Sequence, residues 1–251
     1  MRALILAAAA LAALAVSPAI AADEPSMPHQ TWSFSGPFGT FDRAAAQRGF
    51  EVYEEVCSRC HSMNLLHYRD LAGIGYNEEE IKAIAASKQV TDGPNDQGEM
   101  FQRPGRPSDA FVAPFANPQA ARAALNGALP PDLSLIIKAR EGGADYVDAL
   151  LQGYKDAPAG FKMGDNMMYD EYFPGHQIAM PPPLAGNDVQ YADGTKPTVT
   201  QEAHDVATFL TWASEPTMEE RKFTGAKVLI FLLVMTGVLY AAKRQIWAEV
   251  H

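Results

Sequence analysis

Hydrophobic residues recur at helical spacing in a segment that starts near residue 42. The repeating positions lie four, three, four and three residues apart, which places them on one face of a helix; they are Ala46, Phe50, Tyr53, Cys57 and Cys60. Asp42 precedes the first turn and is a suitable N-cap. The pattern predicts an amphipathic helix that leads into a pair of cysteines.

A second amphipathic helix is predicted about 140 residues later. Its apolar positions again repeat every three or four residues, and they are Ala203, Val206, Leu210 and Ala213. Thr198 and Gln201 have the spacing of a capping box at its start, and Pro216 ends it. Proline and glycine are frequent between the two helices, so we expect loops and short helices there rather than a sheet. The predicted fold class is mainly α.

Residues 3–16 form an apolar run, rich in alanine and leucine, directly after Met1 and Arg2. The run is shorter than the roughly 20 residues that a bilayer requires, which disfavours an N-terminal anchor. Small residues follow at Ala19 and Ala21, where a signal peptidase would cut. We therefore expect a cleaved signal peptide at residues 1–21 and an exported domain at residues 22–220.

Residues 223–242 form a longer apolar run whose only charge is Lys227. Its 20 residues are enough to cross a bilayer. Lys243 and Arg244 follow as a positive flank, with Trp247 as an interfacial aromatic residue. A buried core helix is the alternative, but such a helix normally has a polar face. We expect one C-terminal transmembrane helix, at residues 223–242, and a cytoplasmic tail at residues 243–251.

The predicted exported domain is strongly acidic. Residues 22–220 contain 29 Asp and Glu against 14 Lys and Arg, a balance of −15. This charge argues against nucleic-acid binding and suits a basic soluble partner, although acidity can also serve solubility alone. Candidate docking residues are Glu78, Glu79, Glu80, Asp92, Asp96 and Glu99. Each of them is also explained by an ordinary solvated surface.

The segment Cys57-Ser58-Arg59-Cys60-His61 has the Cys-x-x-Cys-His spacing by which c-type haem is attached. On a helical turn both thiols can reach the two vinyl groups on one porphyrin edge, and His61 can offer a nitrogen to the iron. The alternatives are a redox dithiol, a disulfide or half of a zinc site. Zinc would need further ligands, and Cys57 and Cys60 are the only cysteines of the chain. Export also fits covalent haem attachment, which in bacteria occurs outside the cytoplasm.

Met180 is the first candidate for a second axial ligand of the iron. Three consecutive prolines follow it, and they would hold its thioether in an extended loop upstream of the second helix. Most methionines fill protein cores, and the other candidates are Met167, Met168 and His176. A His/Met pair would raise the reduction potential of the haem.

Several separate blocks resemble cytochrome c1, the haem subunit of the ubiquinol:cytochrome c reductase (cytochrome bc1) complex. The blocks are residues 48–61, 92–95, 126–134, 172–175, 178–184 and 212–216, and together the resemblance covers roughly residues 30–248. It implies a cytochrome c-type domain with long loop insertions and a single covalently attached haem c. Cys57 and Cys60 would hold the haem, and His61 and Met180 would be its axial ligands. Arg140 would pair with a haem propionate, and Pro130, Pro131 and Tyr146 would line the pocket.

The same resemblance implies the setting of the protein. The chain would lie in a bacterial inner membrane with its haem domain in the periplasm. It would accept an electron from a Rieske iron-sulfur subunit, sit beside cytochrome b, and pass the electron to a soluble basic cytochrome c. No catalysis is expected from this chain alone. A haem enzyme such as a peroxidase, with an open iron position, is the alternative.

In one respect the chain departs from some bacterial members of this family. Those members carry an extra cysteine pair that braces the methionine side of the haem, and this sequence has no cysteine left for it. Packing and the prolines must then hold the Met180 loop.

Overall fold

The computed structural model describes residues 26–249, so the predicted signal peptide lies outside the described residues. The first helix, α1 (Arg43–Glu55), begins where the periodicity predicts, and the Asp42 side chain accepts a 3.1 Å hydrogen bond from the amide of Ala45. It ends earlier than predicted, because Cys57–Arg59 is a 3-10 turn that follows the distorted residue Val56. The cysteines therefore lie on a tighter turn and not on a continuing α-helix.

The middle of the chain consists of loops and short elements, as expected. In order they are a 3-10 helix (Tyr68–Ile74), α2 (Glu78–Ala86), β1 (Gln89–Asp92), β2 (Phe101–Pro104), α3 (Pro118–Ala124), α4 (Ile136–Ala139), α5 (Ala144–Gln152), β3 (Met168–Tyr169), a 3-10 turn (Pro174–His176) and β4 (Gln177–Ile178). The strands form two antiparallel pairs that the sequence did not predict. β1 pairs with β2, and β3 pairs with β4 with Met168 opposite Ile178.

The second predicted helix is α6 (Val199–Ser214), and its predicted apolar face is buried. Only half of the predicted capping box forms. The hydroxyl of Thr198 accepts a 3.2 Å hydrogen bond from the amide of Gln201, but the Gln201 side chain donates to Asp205 (3.0 Å) instead of turning back. The amide of Thr198, which would donate to the Gln201 side chain in a capping box, instead donates to the carbonyl oxygen of Lys196 (3.0 Å).

α1 packs directly against α6, and Gly49 allows the two backbones to approach closely. A Cβ atom at Gly49 would lie 2.0 Å from the carbonyl oxygen of Asp205, so no side chain fits there. Arg48 crosses the same contact, with its Nε and Nη2 atoms donating to the buried Asp205 carboxylate at 2.8 and 3.0 Å. Aromatic side chains fill the core beside this crossing; they include Phe50, Tyr53, Tyr68, Phe111, Phe209 and Trp212.

The last described helix, α7 (Met218–Ile246), is separated from α6 by three residues. Its most apolar part has a mean hydropathy of 2.0, and none of that part is buried. Within residues 26–249 it is the one helix long and apolar enough to cross a membrane. The predicted run at residues 223–242 lies inside it. The predicted mainly helical fold with one such C-terminal helix is therefore confirmed.

Candidate cofactor site

The turn that follows α1 presents two free thiols. Cys57 and Cys60 are both half-buried and form no disulfide. The amides of Cys60 and His61 both donate to the carbonyl oxygen of Cys57, at 3.1 and 2.9 Å, which fixes the turn. Burial raises the pKa of the Cys57 thiol to about 12. A redox dithiol needs a lowered thiol pKa, so the local environment does not favour that alternative.

His61 is oriented by a backbone carbonyl from a distant part of the chain. Its Nδ1 atom lies 2.8 Å from the carbonyl oxygen of Pro131, which can only accept a hydrogen bond. Nδ1 therefore carries the proton, and Nε2 keeps a free lone pair. Burial lowers the pKa of His61 and outweighs the opposite effect of the Pro131 carbonyl, which favours the neutral imidazole. A neutral ring whose other nitrogen is hydrogen-bonded is the form in which histidine binds metals.

Hydrogen bonds to the Asp132 side chain hold the residues just after His61 against the part of the chain that contains Pro131. One carboxylate oxygen accepts from the Ser62 hydroxyl (2.8 Å) and from the amide of Asn64 (2.9 Å). Burial alone would raise the pKa of Asp132, but hydrogen bonds from Ser134, Asn64 and Ser62 outweigh burial and lower it. Asp132 was missed by the sequence analysis, although an aspartate after two prolines is a common turn signal.

Arg140, the residue after α4, lies near Tyr146, which is on α5. Arg140 is exposed at the end of α4, where its Nη1 atom donates a 3.2 Å hydrogen bond to the carbonyl oxygen of the adjacent Ala139. Tyr146 is buried on α5. Burial raises the pKa of Tyr146, while the nearby Arg140 acts in the opposite direction. The guanidinium group is therefore available to an anionic group beside Tyr146.

Met180 lies in a loop that is anchored on both sides. Ile178, two residues before it, is buried and pairs with β3, and Leu184, after the prolines, is buried in the core. The hydroxyl of Tyr154 donates a 3.1 Å hydrogen bond to the carbonyl oxygen of Met180 itself. The sequence analysis did not identify Tyr154, because nothing in its local pattern indicates a contact 26 residues away.

Asp170 connects Tyr154 to the rest of this loop. The two residues pair across an isolated antiparallel bridge, and the fully buried Asp170 carboxylate accepts from the amides of Tyr172 (2.8 Å) and Phe173 (2.9 Å). A Cβ atom at Gly153 would lie 2.9 Å from that carboxylate. The Met180 loop is thus braced by hydrogen bonds and packing where a disulfide is absent.

A cleft of about 310 Å³ lies between the segment that precedes Pro130 and the segment that precedes Met180, and Cys57, Cys60, His61 and Met180 do not line it. Its walls are residues 125–128, just before Pro130, and residues 165–167 with Ala179, just before Met180. Met167, one of the alternative ligands, is also part of this wall. His176 has Nδ1 3.2 Å from the Asp170 carbonyl and stacks on Tyr169, within its own loop.

The donor set fits a covalently held haem c. Two free thiols, a neutral imidazole and a thioether loop are available, together with an unoccupied cation at Arg140. Within residues 26–249 no group of three or more His, Cys, Asp or Glu side chains could hold a metal ion. The fold and the site together have the features of a membrane-anchored c-type cytochrome.

Comparison with known proteins narrows this class. Residues 32–250 match the model of the Cytochrome C1 family. Cytochrome c1 of Rhodospirillum rubrum is 46% identical over 241 residues, covering 90% of this chain and 89% of that protein. Mitochondrial cytochrome c1 1, heme protein, of Arabidopsis thaliana is 53% identical over 215 residues, covering 86% and 69%.

A third relative is considerably longer than this chain. Cytochrome b/c1 of Bradyrhizobium diazoefficiens is 47% identical over 246 residues, covering 89% of this chain but 36% of that protein. The present chain thus spans about a third of the length of that relative. The chain belongs to the cytochrome c1 family, and membership supports a role in haem-based electron transport.

Proposed function

We propose that this chain is the electron-transfer subunit of a respiratory cytochrome bc1 complex. It accepts an electron from a Rieske iron-sulfur protein and passes it to a soluble basic cytochrome c, with cytochrome b as a neighbour in the complex. A haem c bound at the site would supply a one-electron iron couple. The chain itself positions that couple and shields it, and it transforms no substrate alone.

The orientation of His61 is the observation that carries this proposal. Its Nδ1–H is committed to the Pro131 carbonyl, so Nε2 is the nitrogen left for iron. Because the ring follows directly after the fixed turn of Cys57 and Cys60, thioether bonds from both thiols would place a porphyrin edge beside it.

Met180 is proposed as the second axial ligand and Arg140 as the partner of a haem propionate. A coordinated thioether would close the sixth iron position, which separates an electron carrier from a peroxidase-like enzyme. Arg140 suits a propionate because a guanidinium keeps its charge and offers a fork of donors. Pro130, Pro131 and Tyr146 are proposed to line the pocket, where apolar surroundings exclude water from the iron.

The proposed placement follows the division of the chain. Residues 1–21 are a cleaved signal peptide, residues 22–220 lie in the periplasm of a bacterium, residues 223–242 cross the inner membrane and residues 243–251 are cytoplasmic. The candidate span in α7 and the positive residues that follow it support this arrangement.

Two measurements test the proposal. Haem should remain with the polypeptide on a denaturing gel, and Cys57→Ser or Cys60→Ser should reduce or abolish the holoprotein. In the purified complex, ubiquinol should reduce this haem and ferricytochrome c should reoxidise it. Haem that extracts fully into acidified acetone, or a haem that quinol does not reduce, would contradict the proposal.

A further inference from the structure

Phe38 is the most exposed large hydrophobic side chain among the described residues, with 84% of its surface accessible. Even on the apolar helix α7 the largest value is 74%, at Leu233. Single exposed hydrophobic residues are common on protein surfaces and need no explanation by themselves. Phe38 is different because the fold holds it in a fixed position beside the start of α7.

The Phe38 turn (residues 33–40) is well ordered by its own contacts. Two backbone hydrogen bonds of 3.1 Å close it. The ring of Phe34 packs between those of Trp32 and Phe41, with centroids 5.3 and 5.5 Å away. At Gly39 a Cβ atom would lie 2.1 Å from a carbonyl oxygen of the turn, so the chain folds back very tightly. Phe38 therefore projects from a rigid tip.

The first turns of α7 hold the Phe38 turn in place. The Nζ atom of Lys222 donates to the carbonyl oxygens of Phe34 (2.6 Å) and Gly39 (3.2 Å), one on each side of the tip. Glu219 accepts a 2.7 Å hydrogen bond from the amide of Phe41. These contacts join segments about 180 residues apart in sequence, so the position of the turn relative to α7 is specific.

The position of these contacts places Phe38 near the expected edge of a bilayer. The apolar run at residues 223–242 is about 30 Å long as a helix, equal to the roughly 30 Å of a hydrocarbon core. The edge of the hydrocarbon core on the side of the haem domain should then lie near Phe223, the residue after Lys222. The carbonyl oxygens of Phe34 and Gly39, on the two sides of the tip, lie within hydrogen-bond reach of the Lys222 side chain next to that level. An exposed phenylalanine at such a level favours the headgroup and acyl boundary over water.

We infer that Phe38 inserts into the lipid interface and gives the haem domain a second contact with the bilayer beside α7. The inference rests on the proposed membrane placement of α7. Because Glu219 and Lys222 join the first turns of α7 to the domain, the two tilt together, and a single span leaves that tilt relative to the bilayer unrestrained. Two contacts at the same membrane face fix that tilt, and with it the direction in which the turn of Cys57 and His61 faces its partners.

Nitroxide labels on single cysteines test this contact in the full-length holoprotein, assembled in its complex and reconstituted into nanodiscs of phosphatidylethanolamine and phosphatidylglycerol. The variants are Phe38→Cys, Leu233→Cys as the lipid reference, and Met100→Cys as a matched exposed apolar residue (61% accessible) near Asp96 and Glu99. Wild-type holoprotein, whose thiols are bonded to haem, is the labelling control. The readout is the accessibility of each label to oxygen, which partitions into lipid, and to a water-soluble nickel chelate.

The label at position 38 should show an oxygen-to-nickel accessibility ratio several-fold above that at position 100 and below that at position 233. A ratio equal to that at position 100 would overturn the inference and leave the span of α7 intact. Low accessibility to both relaxants would also overturn it, because a neighbouring protein chain would then cover Phe38. A label at position 233 that behaves like the one at position 100 would instead refute the proposed membrane placement.

Discussion

The two proposed axial ligands are held in different ways at the residue level. His61 is fixed through its own ring, by a hydrogen bond from Nδ1 to Pro131. For Met180 the hydrogen bond goes to its backbone, from the Tyr154 hydroxyl, and its neighbours on both sides are buried. Because this hydrogen bond holds the backbone of Met180 and not its sulfur, the thioether side of the site should respond more readily to substitution.

Replacing Met180 with leucine removes the sulfur and roughly keeps the side-chain volume. The cost in stability should be below about 1.5 kcal/mol, so the fold and the attached haem should survive. The reduction potential should fall, or the iron should become open to carbon monoxide, because the thioether no longer occupies the sixth position. Redox titration and carbon monoxide difference spectra check this. An unchanged potential and spectrum would show that another residue, such as Met167, is the ligand.

Tyr154→Phe should weaken the Met180 loop without removing the ligand. One hydrogen bond of this kind contributes about 1 kcal/mol. We expect a change in potential and in carbon monoxide access of the same direction as in Met180→Leu but smaller. Tyr169→Phe is the matched control, because within residues 26–249 the hydroxyl of the half-buried Tyr169 makes no hydrogen bond. Equal effects in both variants would contradict a specific role of Tyr154.

At the scale of elements, α6 fixes the loop that follows the three prolines. Glu202 on α6 is fully buried and accepts a 3.0 Å hydrogen bond from the amide of Asp188. The Asp188 carboxylate in turn accepts from the amides of Ala185 (2.6 Å) and Gly186 (3.0 Å). Helix α6, which contributes several buried side chains to the core, thus also holds the far end of the Met180 loop.

Glu202 should make the stability of the protein depend on pH. Burial, and to a lesser degree the neighbouring Asp188, raise the pKa of Glu202 from its ordinary value of 4.5 to about 7. The folded state therefore binds the proton more tightly than the unfolded state does. The contribution is fully present below about pH 4.5 and is lost as the pH rises to about 7. The loss should be on the order of 2 kcal/mol.

Glu202→Gln is neutral at every pH and keeps the acceptor for the Asp188 amide. This variant should lose this part of the pH dependence. At pH 8 its unfolding temperature should be higher than that of the wild type, and near pH 4.5 the unfolding temperatures of the two proteins should differ little. Thermal unfolding of the holoprotein at several pH values measures the effect. The exposed Glu220→Gln is the control for loss of a carboxylate. If the unfolding temperature of Glu202→Gln depended on pH as that of the wild type does, the predicted titration of the Glu202 carboxyl group would be wrong.

On the scale of the whole molecule, the first turn of α7 belongs to the haem domain although it continues into the apolar helix. Both oxygens of Glu219 accept from Arg43, at 2.9 and 2.8 Å, and Lys222 holds the Phe38 turn. A chain that ends after Lys222 keeps these contacts and loses the apolar run.

We expect a chain truncated after Lys222 to be released as a soluble domain that contains haem. A chain truncated after Glu215 is the comparison, and it should unfold several degrees lower, because Arg43 and the Phe38 turn lose their partners. Fractionation, haem staining and thermal unfolding check both. Retention of the longer truncation in membranes freed of partner subunits would contradict the proposed single anchor.

The acidic balance should steer a basic cytochrome c towards the domain. The structure narrows the candidate docking residues, because Glu78 is paired with Lys82 and Asp92 with Arg103. The exposed Asp96 and Glu99 have no ion pair in the described residues. Attraction between exposed charges is screened over a Debye length of about 10 Å at 0.1 M salt.

The second-order rate of electron transfer to a basic cytochrome c should therefore fall as ionic strength rises. Asp96→Asn combined with Glu99→Gln should make this fall less steep. Asp156→Asn combined with Glu220→Gln, which removes the same charge at two other exposed acidic residues, is the matched control. A rate independent of salt in the wild type would leave the acidity without a role in partner capture.

Local patterns in the sequence were sufficient to predict the main helices. The periodicity of α1 and α6, the Asp42 cap and the apolar run inside α7 depend on residues within a few positions of one another. For that reason the starts of α1 and α6 could be predicted without the fold, whereas α7 begins at Met218, five residues before the predicted run. The spacing of Cys57, Cys60 and His61 is equally local, and it identifies the candidate haem site.

Contacts between distant residues were decided by the tertiary structure alone. Pro131 orients His61 across 70 positions, and Tyr154 reaches Met180 across 26. Neither contact can be predicted from periodicity or composition, because the two residues of each pair meet only after the helices have packed. The place of Phe38 beside Lys222 has the same origin. The sequence by itself determined which groups can bind a haem and which helix can cross a membrane, and packing determined how firmly each group is held.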